Sequence, residues 1–251
     1  MSPRRTFAVA GRVLTQVRRD RRTAAMLLLL PSLLMALLWW VFSGDTPVVP
    51  GAPDQFDRTG PALLAVFPLF VMFLVASVTT LRERSSGTLE RLMTMPLGKG
   101  DFLAGYALAF GLLGTAQAAL ATAVSHGLLG MEVRGPLGLM LLVAVADALL
   151  GTALGLAVSA FATTEFQAVQ FLPAVVVPQL LLCGLLRPRE ELPRVLEVVS
   201  DVMPLSYAVD ATTRVAAGGP TRDTVVDLLV LVAVVLAALV VGAATLRRRT
   251  P

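Results

Sequence analysis

Residues 24–43, AAMLLLLPSLLMALLWWVFS, contain no charged side chain and are numerous enough to cross a bilayer as one helix. The hydrocarbon core of a membrane is about 30 Å thick, and about 20 helical residues span it. Because lipid offers no hydrogen-bond partner to a free backbone group, a helix is the expected form of this run. A cleaved signal peptide is the alternative, but the run is longer than a usual signal core and no small-x-small cleavage pattern follows it. The run therefore predicts a membrane-spanning segment.

Five further apolar runs of similar length follow along the chain. Of its 251 residues, 56% are hydrophobic and only 15% are charged, whereas about 25% of the residues of a soluble domain are charged. The fold class is therefore predicted to be an all-α polytopic membrane protein with six transmembrane helices. We place the spans near residues 24–43, 61–81, 102–125, 137–160, 168–186 and 224–246.

The basic residues, almost all arginines, predict the orientation of these spans. The connections on the side of both termini carry 14 Lys and Arg residues, whereas the connections on the other side carry 7. Loops on the cytoplasmic side are enriched in Lys and Arg, which predicts that both termini are cytoplasmic. The same distribution favours membrane flanks over a nucleic-acid surface.

The whole chain, residues 1–251, is predicted to be a single transmembrane domain. Its parts are a cytoplasmic amphipathic helix within 1–23, five spans and their loops within 24–186, an extracytoplasmic segment at 187–223, the last span at 224–246 and a cytoplasmic tail at 247–251.

The segment before the first span has the pattern of an amphipathic helix. Its apolar residues recur at helical spacing with arginines around the rest, which predicts a helix lying along the inner membrane surface. Either it only sets the topology, or it acts as a lever beside the first span; both interpretations stay open. The predicted apolar face consists of Phe7, Ala10, Val13, Leu14 and Val17.

A charged stretch, LRERSSGTLERLMTMPLGKGD at residues 81–101, separates the second and third spans. Thr88 can cap a helix, and Pro96 disfavours helix at the residue before it, so the predicted helix has about two turns. So short a helix is marginal in isolation and needs a surface to pack on. A solvated loop that rests on the lipid is the alternative. The residues alone leave this choice open.

Two motifs resemble a known family. Residues 83–97, ERSSGTLERLMTMPL, resemble the loop of ABC-type-2 exporter permeases, in which an acidic residue precedes Gly-Thr-Leu-Glu, a leucine and a proline. Residues 184–210 resemble the last extracytoplasmic stretch of that family, with its Leu-Pro entry and its Pro-Leu-Ser-Tyr helix start. On the six-span plan, the chain is similar to permeases of the daunorubicin-resistance type. It departs from them at Tyr106, where the family often has lysine.

The resemblance implies the membrane permease subunit of an ATP-driven ABC exporter in the inner membrane of a prokaryote. A separate cytoplasmic ATPase would bind ATP and Mg²⁺, a second permease chain would complete a homo- or heterodimer, and the cargo would be an amphipathic drug-like or lipid-like molecule. The loop at 82–101 would seat in the ATPase, and Glu165 in the loop 161–167 would be a smaller contact, with a simple turn as the alternative. The coupling candidates carried over by position are Glu83, Gly87, Thr88, Leu89, Glu90, Arg91 and Leu92.

The segment 187–223 predicts two short helices. Leu192, Val195, Leu196 and Val199 repeat at helical spacing, and Pro204 suits the first turn of a second helix. The resemblance implies a re-entrant hairpin here, and a peripheral cap on the lipid headgroups is the alternative. The candidate residues of this segment are Pro193, Pro204, Tyr207 and Asp210.

Asp147 lies near the centre of the fourth span, where an aspartate costs roughly 2.5–3.5 kcal/mol to insert. It could bind a cationic substrate or be a protonated or hydrogen-bonded packing residue, and the generic behaviour of buried acids favours the second interpretation. The resemblance implies a conduit between two permease chains, lined mainly by the second and fifth spans. The remaining conduit candidates are Phe70, Phe73, Ser77, Gln170, Pro173, Gln179 and Cys183.

The sequence contains little material for catalysis. There is no G-x-x-x-x-G-K-[ST] phosphate loop. The one histidine, His126, is expected at a membrane interface and not at a metal, so the chain is predicted to be non-enzymatic and without a metal site. Two rival functions stay open: a permease for a polysaccharide or teichoic acid, and an ATPase-independent carrier or channel, for which inverted repeats are expected but not evident.

Overall fold

The computed structural model describes residues 2–43, 53–86 and 98–245. Within these ranges the chain forms nine α-helices and no strand. A π-helical turn, Val124–Leu128, continues α4, and a 3₁₀ turn, Arg189–Glu191, precedes α7. The α-helices are α1 Pro3–Arg19, α2 Arg21–Phe42, α3 Gln55–Ser85, α4 Lys99–Ala123, α5 Leu137–Ser159, α6 Glu165–Leu182, α7 Arg194–Val202, α8 Pro204–Ala216 and α9 Thr221–Thr245.

The six predicted spans are confirmed as helices that are long and apolar enough to cross a membrane. The chain is therefore a multi-pass membrane protein with an all-α fold. The spans are carried by α2, α3, α4 with its π turn, α5, α6 and α9. We call the end of the bundle that carries α1 and the start of α6 the predicted cytoplasmic end, and the end that carries α7 and α8 the predicted outer end.

The centre of the bundle is the contact between α3 and α5. A Cβ atom on Gly151 would lie 2.4 Å from the carbonyl oxygen of Leu69, and one on Gly155 would lie 2.5 Å from that of Phe73. The Gly-x-x-x-Gly pair therefore lets α5 approach the backbone of α3 closely, as such pairs do in membrane helices. On other sides, α5 packs against α4 and α9, and α3 packs against α2, α6 and α8.

Proline inside α2 is compensated by a neighbouring helix. Pro31 has no N–H group, so the carbonyl oxygen of Leu27 lacks its usual intrahelical donor. The side chain of Gln117 on α4 is buried, and its Nε2 donates to that oxygen at 2.6 Å. This hydrogen bond ties α2 to α4 inside the bundle.

Three spans, α2, α6 and α9, leave much of their apolar surface uncovered within the single chain. Trp40 on α2, Leu181 on α6 and Val240 on α9 are among the exposed side chains. Exposed apolar helix faces in a membrane protein meet lipid or another membrane chain. These faces are therefore the surfaces available for assembly.

Candidate functional site

The N-terminal helix is amphipathic, as predicted, but its apolar face packs on its own chain. Val9, Ala10, Val13 and Val17 are buried, with Val9, Ala10 and Val13 in a cluster that includes Phe102 and Tyr106 of α4. Two parts of the prediction were wrong: this face does not rest on lipid, and Phe7 does not belong to it, because its side chain is 65% exposed.

The close contact between α1 and α4 depends on a glycine. A Cβ atom on Gly105 would lie 2.6 Å from the Cβ of Val9 and 2.9 Å from the carbonyl oxygen of Thr6. The missing side chain lets α1 sit directly against α4, with Val9 on the buried face.

An ion pair joins α1 to the end of α3. Arg12 donates to both carboxylate oxygens of Glu83, at 3.0 Å through Nη1 and 2.8 Å through Nη2. The Glu83 side chain is only 4% exposed, whereas that of Arg12 is 35% exposed. Burial lowers the pKa of Arg12, but the hydrogen bond and charge of Glu83 outweigh this effect and raise the pKa above its usual value. Two-point pairing of this kind fixes orientation as well as distance.

A second contact joins α1 to the start of α4. The backbone N–H of Ser2 donates to Asp101 Oδ1 at 2.7 Å, and Asp101 Oδ2 accepts from the N–H of Gly98 at 3.2 Å. Helix α1 therefore contacts both the end of α3 and the start of α4, the two helices that residues 87–97 connect.

The start of α6 meets the same region. Arg82 donates to both carboxylate oxygens of Glu165, at 2.9 and 3.0 Å. Thr164 caps the helix by accepting the N–H of Gln167 at 3.1 Å. Glu165 therefore brings the loop 161–167 against the end of α3.

The predicted coupling residues divide into two groups. Glu83 and Glu165 lie at the end of α3 and the start of α6, each in an ion pair with this chain. A direct contact of Glu83 with another protein stays a prediction, and its Arg12 partner is a residue that the sequence reasoning missed. The other candidates lie outside the described residues: Gly87, Thr88, Leu89, Glu90, Arg91 and Leu92.

The predicted conduit residues do not share one face. Phe73, Ser77, Asp147 and Cys183 are fully buried, and Gln179 is nearly so. Phe70 is half-buried, whereas Gln170 and Pro173 are exposed. Exposed residues recur along α6 at helical spacing and form one side of the helix. This side consists mainly of Phe166, Val169, Gln170, Pro173, Val177 and Leu181.

Asp147 is enclosed between α5 and α3. Its side chain has no exposure, and neither oxygen makes a hydrogen bond to a described residue. No described basic side chain forms an ion pair with it. The enclosure favours the packing interpretation of Asp147 over contact with a substrate.

The segment after α6 forms the two predicted helices. Pro204 opens α8 as expected, and Pro193 precedes α7. Ser200 is the one residue of α7 that is buried, whereas Val195 and Val202 are 75% and 80% exposed. The apolar side of α7 therefore faces away from the chain. The depth of this hairpin in a membrane stays a prediction.

Arg189 forms the centre of a polar cluster in this segment. Its Nε donates to Ser200 Oγ at 2.8 Å, and its two terminal nitrogens pair with Asp201 and Asp210. The guanidinium lies over the ring of Tyr207, 5.7 Å from the ring centre. Arg189 was not among the predicted site residues, because nothing in a linear sequence shows that positions 189, 201 and 210 meet.

The cluster continues toward the last span. Arg214, one helical turn after Asp210 on α8, pairs with Asp227 of α9. Burial raises the pKa of Asp210, and the charge and hydrogen bond of Arg189 oppose that shift. The effect of burial is the larger one, so the pKa of Asp210 lies above its usual value. Asp210 therefore becomes protonated at a higher pH than a surface aspartate.

The hairpin is fastened to the outer end of α6 by uncharged contacts as well. Ser200 Oγ donates to the carbonyl oxygen of Leu182 at 2.8 Å, and the N–H of Leu205 donates to Gln179 Oε1 at 3.2 Å. Gly184 turns the chain here with φ of 94°, which favours glycine.

Comparisons with known proteins agree with this architecture. The family model described as ABC-2 type transporter matches residues 4–215. The probable multidrug ABC transporter permease YbhR of Escherichia coli is 27% identical over 165 residues, which cover 66% of this chain and 45% of that protein. The linearmycin resistance permease protein LnrN of Bacillus subtilis is 28% identical over 171 residues, 67% and 43% of the two chains. The matched part thus spans less than half the length of these relatives.

Proposed function

Because this chain belongs to the ABC-2 type transporter family, we propose that it is the membrane permease subunit of an ATP-driven exporter. The observation that carries the proposal is the family match over residues 4–215 on a chain with six membrane-spanning helices. ATP and Mg²⁺ would be bound by a separate ATPase on the cytoplasmic side. The chain itself would supply the path and the moving parts, with no catalytic step of its own.

The ATPase would dock at the loop 82–101, which connects α3 to α4. Support comes from the ion pairs and hydrogen bonds that hold α1 and α6 against the two ends of this segment, through Glu83, Asp101 and Glu165. A displacement of the segment would therefore act on α1, α3, α4 and α6 together.

A second permease chain would complete the path. The exposed side of α6, with Gln170 and Pro173, and the half-buried Phe70 of α3 are the predicted conduit residues that a second chain could still reach. Their position supports a conduit between two copies more than one through the packed interior of a single copy, where Phe73 and Asp147 lie.

The cargo would be an amphipathic drug-like or lipid-like molecule. The exposed side of α6 is largely apolar with a single amide, Gln170, a surface that suits a mostly apolar ligand with few polar groups. Two relatives carry names that refer to multidrug transport and to linearmycin resistance, and these names favour such a cargo over a polysaccharide.

The test is ATP-dependent export by the permease reconstituted with its proposed ATPase partner. Leu92→Asp should abolish export and the permease-dependent stimulation of ATP hydrolysis, because a charge replaces an apolar contact of the docking segment. Glu132→Gln, in the loop at the predicted outer end, is the matched control and should leave both activities unchanged. Export by the purified permease without an ATPase would overturn the proposal.

A further inference from the structure

The end of α1 and the start of α2 carry a dense group of arginines. Residues 18–22 read RRDRR, so four arginines flank Asp20 within five positions. All four are exposed, and none forms an ion pair with a described residue. The carboxylate of Asp20 caps α2 by accepting from the N–H and the hydroxyl of Thr23. Like charges so close together repel one another, and an anion placed among them is stabilised.

These arginines lie at one end of an uncovered side of α2. Exposed side chains recur along this helix every three or four residues, which places them on one side. They are Arg22, Met26, Leu29, Leu33, Leu37 and Trp40. The rise from position 22 to position 40 is about 27 Å, close to the thickness of the hydrocarbon core. The side thus begins with a cation, continues as an apolar surface and ends with an indole, and both of its ends suit a membrane interface.

A phospholipid matches both parts of this surface. Its phosphate is an anion at the membrane border, and arginine binds phosphate through paired N–H groups. Its acyl chains extend from that border into the hydrocarbon, where α2 offers apolar side chains. The exposed side of α6 differs, because the charged residue at its start is an acid, Glu165. The two uncovered spans therefore suit different occupants.

An open groove on the polar side of α1 ends at the same arginines. It is lined by Gly11, Thr15 and Arg19, among other residues. A Cβ atom on Gly11 would meet no atom within 4 Å. Because the apolar side of α1 is buried against α4, this groove lies on the outside of the chain. It leaves room beside Arg19 for a headgroup larger than a phosphate.

We propose that the uncovered side of α2 is a binding site for an anionic phospholipid of the leaflet at the predicted cytoplasmic end. Arg19, Arg21 and Arg22 bind the phosphate of its headgroup. Its acyl chains lie along the exposed apolar side chains of α2. The site does not depend on the proposed export function, and it can be tested without an ATPase.

The sequence allows a direct test of which lipid lies on this side. Trp39 and Trp40 are its two tryptophans, and both are exposed, so replacing them by phenylalanine gives a background without tryptophan. Leu29→Trp then places one indole on the uncovered side of α2, about 10 Å along the helix from Arg22. Brominated acyl chains quench an indole that they contact, so the loss of fluorescence reports the lipid beside position 29.

This variant is reconstituted in phosphatidylcholine vesicles that contain a small fraction of brominated phosphatidylglycerol or of brominated phosphatidylcholine. An arginine at an anionic lipid strengthens binding by a factor of about five. We therefore expect brominated phosphatidylglycerol to bind about tenfold more tightly than brominated phosphatidylcholine. Adding Arg21→Gln and Arg22→Gln should lower this preference about fivefold or more.

Arg4→Gln with Arg5→Gln is the matched control. These two arginines are also exposed, and they lie about 20 Å along α1 from Arg19. The control thus removes the same charge at a distance from α2 and should keep the preference. Arg21→Lys with Arg22→Lys should keep most of it, because an ammonium group also attracts a phosphate.

Two results would overturn the proposal in a Leu29→Trp chain that elutes as the unmodified chain does. Equal quenching by the two brominated lipids would show that the arginines select no anionic lipid and would leave them to an acidic surface of a protein partner. Quenching by neither lipid would show that a protein chain covers this side of α2. Neither result would bear on the exporter function, because no ATPase is present.

Discussion

At the scale of single residues, one polar side chain donates to a backbone carbonyl that a proline leaves without its helical donor. Gln117 donates a hydrogen bond to the carbonyl oxygen of Leu27, because Pro31 has no N–H group to donate to it. Membrane interiors contain no water to do this, so the hydrogen bond stabilises the contact between α2 and α4.

A double-mutant cycle measures this contact. Gln117→Leu should lower the free energy of unfolding by roughly 0.6–1.7 kcal/mol, from the average to the largest value for hydrogen bonds between membrane helices. Pro31→Ala restores a backbone donor for Leu27, so Gln117→Leu should cost less in that background. Reversible unfolding of the four proteins in mixed micelles gives the difference. Equal costs in both backgrounds would contradict the interpretation. The buried Oε1 of Gln117, which has no described partner, contributes to both backgrounds and cancels.

At the scale of elements, α1 fixes the relative position of the two helices that residues 87–97 connect. Its contacts with Glu83 and Asp101 hold the end of α3 and the start of α4 in register. Of the two interpretations of the N-terminal helix, the lever is the one that these contacts favour.

The element-scale prediction concerns the pair between Arg12 and Glu83. Glu83→Gln replaces a two-point ion pair by weaker hydrogen bonds, at a cost of roughly 1–3 kcal/mol in the docking of α1. In the proposed exporter, stimulation of the ATPase should fall several-fold while the chain still inserts. Arg18→Gln, at an exposed position of α1, should have no effect. Arg12→Glu with Glu83→Arg should restore part of the stimulation, and no recovery would contradict the pairing.

The six spans could be predicted from the sequence because membrane thickness sets the length of an apolar run. The start of α8 could be predicted as well, since Pro204 suits a first helical turn. The face of α1 could not: helical spacing groups Phe7 with Ala10 and Val13, and only the packing of α1 on α4 shows that Val9 is buried and Phe7 is exposed. The polar cluster around Arg189 was also beyond reach, because its members come from four separate elements, the 3₁₀ turn, α7, α8 and α9.

At the scale of the whole molecule, the ion pairs of the described residues lie toward the two ends of the bundle, and the close contact between α3 and α5 lies in its centre. The uncovered apolar faces lie on α2, α6 and α9. A bundle of six helices whose fifth span is mostly uncovered requires lipid or a second chain beside it. We expect a second copy to cover α6.

Cross-linking tests this assembly. In a Cys183→Ser background, Gln170→Cys should give a covalent dimer with a short bifunctional thiol reagent, because position 170 lies on the exposed side of α6. Leu229→Cys is the control and should stay monomeric. Leu229 lies on an exposed apolar face of α9 and is itself 63% exposed. Dimers through position 229 alone would place the interface on α9 instead.

The bare middle of α6 has a consequence for how such a protein diversifies. The side chains of Gln170 and Pro173 are exposed, so replacing them changes the uncovered surface of α6 with small effect on folding. Most random substitutions in a protein lower its stability, and selection removes those that lower it too far. In the proposed conduit, the selectivity for cargo would therefore change through many sequences while the packed bundle stays intact.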